Sequence, residues 1–327
     1  LHHCIKLNRL LHCGGIVRSI INPIYISLQI CKEKIHHLST NNMTHYSRLY
    51  EVSYNEEITS WHFRVKIHRI YPFYSYVTDS RRHWTYILAD EDGTKMEMTI
   101  CGGYEDMFRG LEKQEGKWVE IFLVDVHRTY PGFQATKSRF TLNATRHTQV
   151  HIIDPLNNRL YMDFKNIHEI PHMNHMDRNY LIDVSNRSGK TFLIDTMGVA
   201  FNTESHFDDP ARPKMVFYIR DNIESQIKCV ATSDHAYAFR DGLENMRGRG
   251  QVIVILKMWR VWSFFIKRLL NSFMHPCYFG PDELWLETEG GLSDFRFNPL
   301  LPEVEEFRQS LLRSDPYVQR HGAIGSL

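Results

Sequence analysis

No two of the six cysteines (Cys4, Cys13, Cys31, Cys101, Cys229 and Cys277) stand in Cys-x-x-Cys spacing. That excludes a zinc ribbon and leaves no disulfide framework to staple a small fold, so a reducing compartment is the simple reading. Net charge is nearly absent, at +1. Lys and Arg total 39 against 38 Asp and Glu, so no bulk basicity draws the chain to polyanions, and such binding would need a local patch. Long apolar runs are missing too. The best candidate, "GGIVRSIINPIYISLQI", is cut by Arg18 and Pro23, which counts against a signal peptide or a membrane span.

The charge that exists is unevenly placed. Residues 1–50 hold six Lys/Arg and one acid, Glu33, and the first Met is Met43. Residues 1–50 therefore read as a basic leader, disordered or outside the fold, with 1–42 a transit sequence or an extension of the gene. With 327 residues, two domains are expected.

Strand signals dominate from Trp61. "WHFRVKIHRI" alternates Phe63, Val65 and Ile67 with Arg64, Lys66 and His68, the two-residue period of a half-buried strand. "HWTYILADEDG" and "TKMEMTI" give two more strands. "YEDMFRGLEKQEG" reads as one short helix with Met107 and Leu111 four apart. "KWVEIFLVDVHRTY" and "GFQATKSRFTL" complete five. Three strands, a short helix and two strands is the pattern of the OB-fold, a five-stranded Greek-key barrel.

The pattern then recurs. "KTFLIDTMGVAF", the hairpin "PKMVFYIRDNIESQIKCVAT", the helix "DHAYAFRDGLENM" and the strand "GQVIVILKMWRVW" follow the same order. Asp90 to Phe108 and Asp221 to Phe239 both span 18 positions, the mark of a repeated unit. The expected fold is mainly β, with two tandem OB-fold five-stranded Greek-key barrels, each carrying a short helix between strands 3 and 4. The first domain is placed at 51–150, a linker at 151–180, the second domain at 181–300, and a C-terminal helix and disordered tail at 301–327. Pro302 opens that helix, with Val304, Phe307 and Leu311 along one face.

Two motifs fail on physical grounds. "HEIPH" (His168–His172) has the letters of a zinc-protease helix, but Pro171 between the histidines breaks the helix that must align them. "SGKT" (Ser188–Thr191) lacks the upstream Gly of a phosphate loop, the position being Val184, and a strand follows it instead of a helix. Asn143 and Asn186 head N-x-[ST] triplets, but no secretory signal accompanies them. The pattern assembles no nucleophile or metal set, so the residues point away from an enzyme and call for no cofactor.

Aromatics interleaved with cations carry more weight. Single strands bind OB barrels by stacking bases on aromatic rings while Lys and Arg track the phosphates. The loop after the first strand offers Tyr71, Phe73, Tyr74, Tyr76, Arg81 and Arg82. The turn between the fourth and fifth strands offers Arg128, Tyr130, Phe133, Lys137 and Arg139, and a strand from 133 would align Phe133, Ala135, Lys137 and Arg139 on one face. Phe73 and Phe140 are expected in the core.

These stretches resemble the plant replication protein A large-subunit family over about residues 55–312. The carriers are the run from Trp61 to Ile100, "GFQATKSRFTLNATRHTQV", "TFLIDTMGVAFN" and "FNPLLPEVEEFRQSL". The resemblance implies binding of single-stranded DNA with little sequence preference, in the nucleus, in replication, repair or recombination. Its implied partners are other replication protein A subunits or replication and repair proteins, and it implies no membrane. Carried over by position, Tyr74 and Phe133 stack bases, and Arg81 and Arg82 line the phosphate path. Arg128, Lys137 and Arg139 hold further phosphates. In the second domain Arg260, Trp262 and Phe264 (or Phe265) form the platform. The sequence departs from the family at Ile100 and Thr232, where it has stacking aromatics. Those losses motivate the alternative of a degenerate OB-fold interaction module that no longer binds nucleic acid.

Overall fold

The computed structural model describes residues 45–53, 61–73, 83–100, 103–129, 135–173, 182–183, 190–191, 193–248, 250–263 and 284–321. From Ser47 onward the described chain forms one compact unit, built on two large sheets.

The first sheet contains β1 (His62–Phe73), β2 (His83–Ala89), β3 (Lys95–Ile100), β4 (Trp118–Phe122), β5 (Asp125–Arg128), β6 (Phe140–Asn143) and β7 (Gln149–Ile153), in the order β5-β6-β3-β2-β1-β4-β7. β3 and β6 run parallel and the other pairs antiparallel. β4 and β5 are separated only by Leu123, at φ 56°, and Val124. β4 pairs with β1 and β5 with β6, so this bend carries the sheet around from one edge toward the other. The alternation in β1 is kept as far as Ile67, with Phe63, Val65 and Ile67 buried. A bulge at His68 then shifts the register against β2 and turns Ile70 and Tyr71 inward.

The second sheet follows a two-residue pair, β8 (Ile182–Asp183) with β9 (Lys190–Thr191). It contains β10 (Leu193–His206), β11 (Lys214–Arg220), β12 (Gln226–Thr232), β13 (Ile253–Ser263), β14 (Leu284–Glu287) and β15 (Asp294–Phe297). Its order is β10-β11-β12-β14-β13-β15, and β10 also pairs with β13, so the sheet curls back onto its first strand. β12 and β14 are parallel, as β3 and β6 are. Helix α1 (Asp234–Glu244) lies between β12 and β13. Its Phe239 is fully buried and stacks on Phe217 at 3.8 Å, with Trp259 edge-on to Phe217. Both sheets are consistent with OB-folds.

The internal repeat reappears in the bonds of two hairpin turns. Asp90 and Asp221 are both buried at hairpin turns. The Asp90 carboxylate accepts the N–H groups of Asp92 and Thr94, and that of Asp221 accepts those of Ile223 and Ser225. Eighteen residues on, Phe108 and Phe239 both enter a core.

Four sequence expectations are corrected. The short helix at 104–116 is two 3-10 turns, Glu105–Phe108 and Leu111–Lys113. Gly110, at φ 96°, separates them, so Phe108 and Leu111 face inward and Met107 is exposed. The fifth strand begins at Phe140, not at 133. The leader ends before residue 50: Leu49 is buried in the first core and its N–H donates to the Asp90 carboxylate. The tail beyond Pro316 is helical through His321: α2 (Pro302–Ser314) is followed at once by α3 (Pro316–His321).

Residues 154–173 pack on both sheets. Trp118 Nε1 donates to the Asn157 carbonyl, and Ile167 and Ile170 are buried in the second core. The sheets also meet directly. A shared apolar cluster joins Tyr71 and Ile87 of the first, with Ala135 of the segment before β6, to Leu193 and Met258 of the second, with Leu292 of a 3-10 turn. Around it, Arg69 donates to the carbonyls of Gly291, Leu292 and Ser293 and pairs with Glu115 at 2.9 Å. Lys257 donates to the His68 carbonyl at 2.6 Å. Burial lowers the Lys257 pKa, against which Glu115 and Asp195 pull upward.

Candidate nucleic-acid interface

Five of the ten residues expected at the interface, Tyr74, Arg81, Arg82, Phe133 and Phe264, lie outside the described residues. Three others come together. Arg128 ends β5 opposite Phe140, and the Thr129 N–H donates to the Arg139 carbonyl at 2.9 Å. Arg128, Lys137 and Arg139 are all exposed on this edge.

Why Lys137 points outward while Ala135 does not is decided by Glu97. This side chain on β3 is 7% exposed. Its carboxylate accepts the Ala135 N–H at 2.6 Å and also the Thr136 N–H. Those bonds turn Ala135 and Thr136 into the core, leaving Lys137 and Arg139 at the surface. Burial raises the Glu97 pKa to about 7, with both backbone bonds opposing it.

Beside this edge is a cleft of about 600 Å3. Its lining includes Lys95, Lys137, Arg139 and Phe140. Tyr50, Tyr161 and Asp163 complete it. Tyr50 is 66% exposed, yet its backbone is fastened. It sits in the 3-10 turn Leu49–Glu51, which is held by the Leu49 bond to Asp90 and by the Arg48 N–H bonding Glu51 at 2.8 Å. Tyr161 is fixed by Asn157, whose amide donates to its hydroxyl at 2.7 Å. Lys137 lies 4.0 Å from Asp163, and Lys95 lies 3.8 Å from Asp195.

The opposite end of β3 differs. Ile100 is buried. The small cleft beside it, about 190 Å3, is lined by Glu105, Asp106 and Glu112 with Arg109 as the one cation. The lining there and the lining at the Lys95 end carry opposite excess charge.

In the second sheet Arg260 is largely enclosed. Its guanidinium pairs with Glu289 and lies over the Trp262 ring, 5.1 Å from the centroid. Burial lowers its pKa. Trp262 stacks on Trp285 with centroids 6.1 Å apart and planes 10° from parallel. Thr232 exchanges a hydroxyl hydrogen bond of 2.8 Å with Thr288.

Sequence reasoning passed over Tyr50, Lys95, Tyr161 and Trp285. Tyr50 left no local mark, because Arg48 is not a capping residue type and the turn's anchor, Asp90, lies 41 positions beyond Leu49. Tyr161 and Lys95 are brought to the site by tertiary packing, which leaves no local mark.

A family model described as a domain of unknown function, DUF223, matches residues 52–172. No curated protein matches this sequence. Among solved structures, the chain is similar to one from a replication protein A heterotrimer bound to ssDNA, at 13% identity and TM-score 0.51. That match covers 85% of this chain but only 56% of the other. DNA-binding domain A of S. cerevisiae replication protein A matches at 15% identity and TM-score 0.25, covering 35% of this chain and 97% of that one. The first likeness shows the fold: an OB-fold architecture of the kind found in replication protein A.

Proposed function

We propose that this chain is a non-enzymatic, single-stranded DNA-binding protein similar to the plant replication protein A large subunit. In this reading it is built from two tandem five-stranded Greek-key OB barrels at about 51–150 and 181–300. It binds with little sequence preference, serves replication, repair or recombination in the nucleus, and works with other replication protein A subunits or repair proteins. The observation that carries the reading is the edge where Arg128, Lys137 and Arg139 stand exposed beside an aromatic-lined cleft, on an architecture similar to that of a chain from a heterotrimer bound to ssDNA.

The mechanism follows from chemistry. Bases stack on Tyr74 and Phe133, each contributing about 1–3 kcal/mol. Arg81, Arg82, Arg128, Lys137 and Arg139 neutralise phosphates and release counterions. The second barrel adds a platform from Trp262 and Phe264, with Arg260 beside it. Fluorescence anisotropy with labelled oligo-dT tests this. Binding at low salt is expected, and the double variant Phe133→Ala with Lys137→Ala should weaken it by at least tenfold without changing the thermal melt.

A second reading is a protein-interaction module that has kept the barrels and given up DNA. It is favoured by the Arg260–Glu289 pair and the carboxylate-rich cleft at Ile100. Under it, oligo-dT leaves the anisotropy unchanged at low salt.

A further inference from the structure

The two ends of β3 present opposite chemistry. The Ile100 end is walled by carboxylates around about 190 Å3. The Lys95 end opens into about 600 Å3 with three cations and one carboxylate in its lining, within the size range of small-molecule sites. The lining also meets the two requirements of a nucleotide at once. Tyr50 offers a ring that the fold leaves 66% exposed on an anchored turn. An aromatic held this way stacks a base with little ordering cost. In the same lining, Lys137 and Arg139 offer cations to a phosphate, with Phe140 beside them. Asp163 is the one acidic group in the lining, and it is engaged by Lys165 at 3.0 Å as well as by Lys137 at 4.0 Å. It holds the place of a ligand's negative charge.

We propose that this cleft binds a nucleotide, its base against Tyr50 and its phosphate on Lys137 and Arg139. The proposal rests on the single-strand reading in taking that nucleotide from the bound strand. It places one nucleotide of the strand at the Lys95 end of β3. Asp163 then acts as a competitor that the phosphate displaces from Lys137.

The test uses the full chain, with labelled oligo-dT read by anisotropy and dTMP by titration calorimetry. Tyr50→Ala should weaken oligo-dT roughly 5- to 150-fold, the range of one stacked base. Arg139→Ala should weaken it and lower the slope of log K against log salt by about 0.7, one phosphate on a single strand. Asp163→Asn should tighten it by a factor of about five, as removing a like charge near the phosphate would. Tyr50 and Arg139 are exposed, so the melting temperature of those variants should match the wild type. If oligo-dT binds the wild type and all three variants alike, the pocket is refuted and the single-strand reading stands. If oligo-dT fails while dTMP binds and loses affinity in Tyr50→Ala, the cleft is a site for free nucleotides and the single-strand reading falls. If neither probe binds, both fall.

Discussion

Glu97 shows how one side chain governs a surface it does not reach. Its carboxylate is spent on the Ala135 and Thr136 amides, and that fixes which residues of the following segment face solvent. The arrangement has a pH signature. Burial raises its pKa from the ordinary 4.5 to about 7. Between those values the folded protein keeps a proton that the unfolded chain has released, so stability falls as pH rises across that window, by on the order of 3 kcal/mol. Above pH 7 the loss is complete. In Glu97→Gln the side chain stays neutral and its carbonyl still accepts the Ala135 N–H. The urea midpoint of this variant should change far less than the wild type's between pH 4.5 and 7.5, and equal slopes would sink the assignment. Periodicity alone placed Ala135 and Lys137 on one face. It failed because a buried carboxylate on a distant strand outcompetes the extended pattern for those two amides.

At the scale of elements, much of the architecture was legible because strand alternation and hairpin turns are local. β1, β2, β3, β11 and β12 lie where the two-residue period put them. The repeat was visible through Asp90 and Asp221, whose turn chemistry needs only the next four residues. The short helix was misread because a left-handed Gly110 splits it, and the turn at Leu49–Glu51 was missed because its anchor, Asp90, is far along the chain. The contacts between the sheets left no sequence signal. They depend on close approach: a Cβ added to Gly291 would lie 2.9 Å from Pro72 Cδ, in a ring that cannot swing aside. Gly291→Ala should therefore cost about 1–3 kcal/mol by overpacking, read as a lower urea midpoint. Gly103, with nothing within 4 Å of such a Cβ, is the control: its alanine variant should stay within about 0.5 kcal/mol of wild type.

The whole molecule is tied through two irregular points. β1 bulges at His68 and β10 at Asp195. The His68 carbonyl receives the Lys257 ammonium from the other sheet, and the Asp195 carboxylate closes its own bulge by accepting the Met258 N–H at 2.9 Å while facing Lys95 of the first sheet. A buried ammonium held by a carbonyl and a carboxylate makes separation of the sheets costly, since it would strand a charge. Calorimetry should accordingly show one cooperative transition, with calorimetric and van't Hoff enthalpies in agreement; two resolved transitions would mean that the sheets unfold independently. Joined in this way, the two sheets form one body, and the proposal is that this body binds a single strand. Anisotropy of labelled oligo-dT titrated across a salt series tests that binding. Binding is expected at low salt, with log K falling linearly with log salt at about 0.7 per phosphate neutralised; no binding at low salt, or an affinity indifferent to salt, would overturn the single-strand reading.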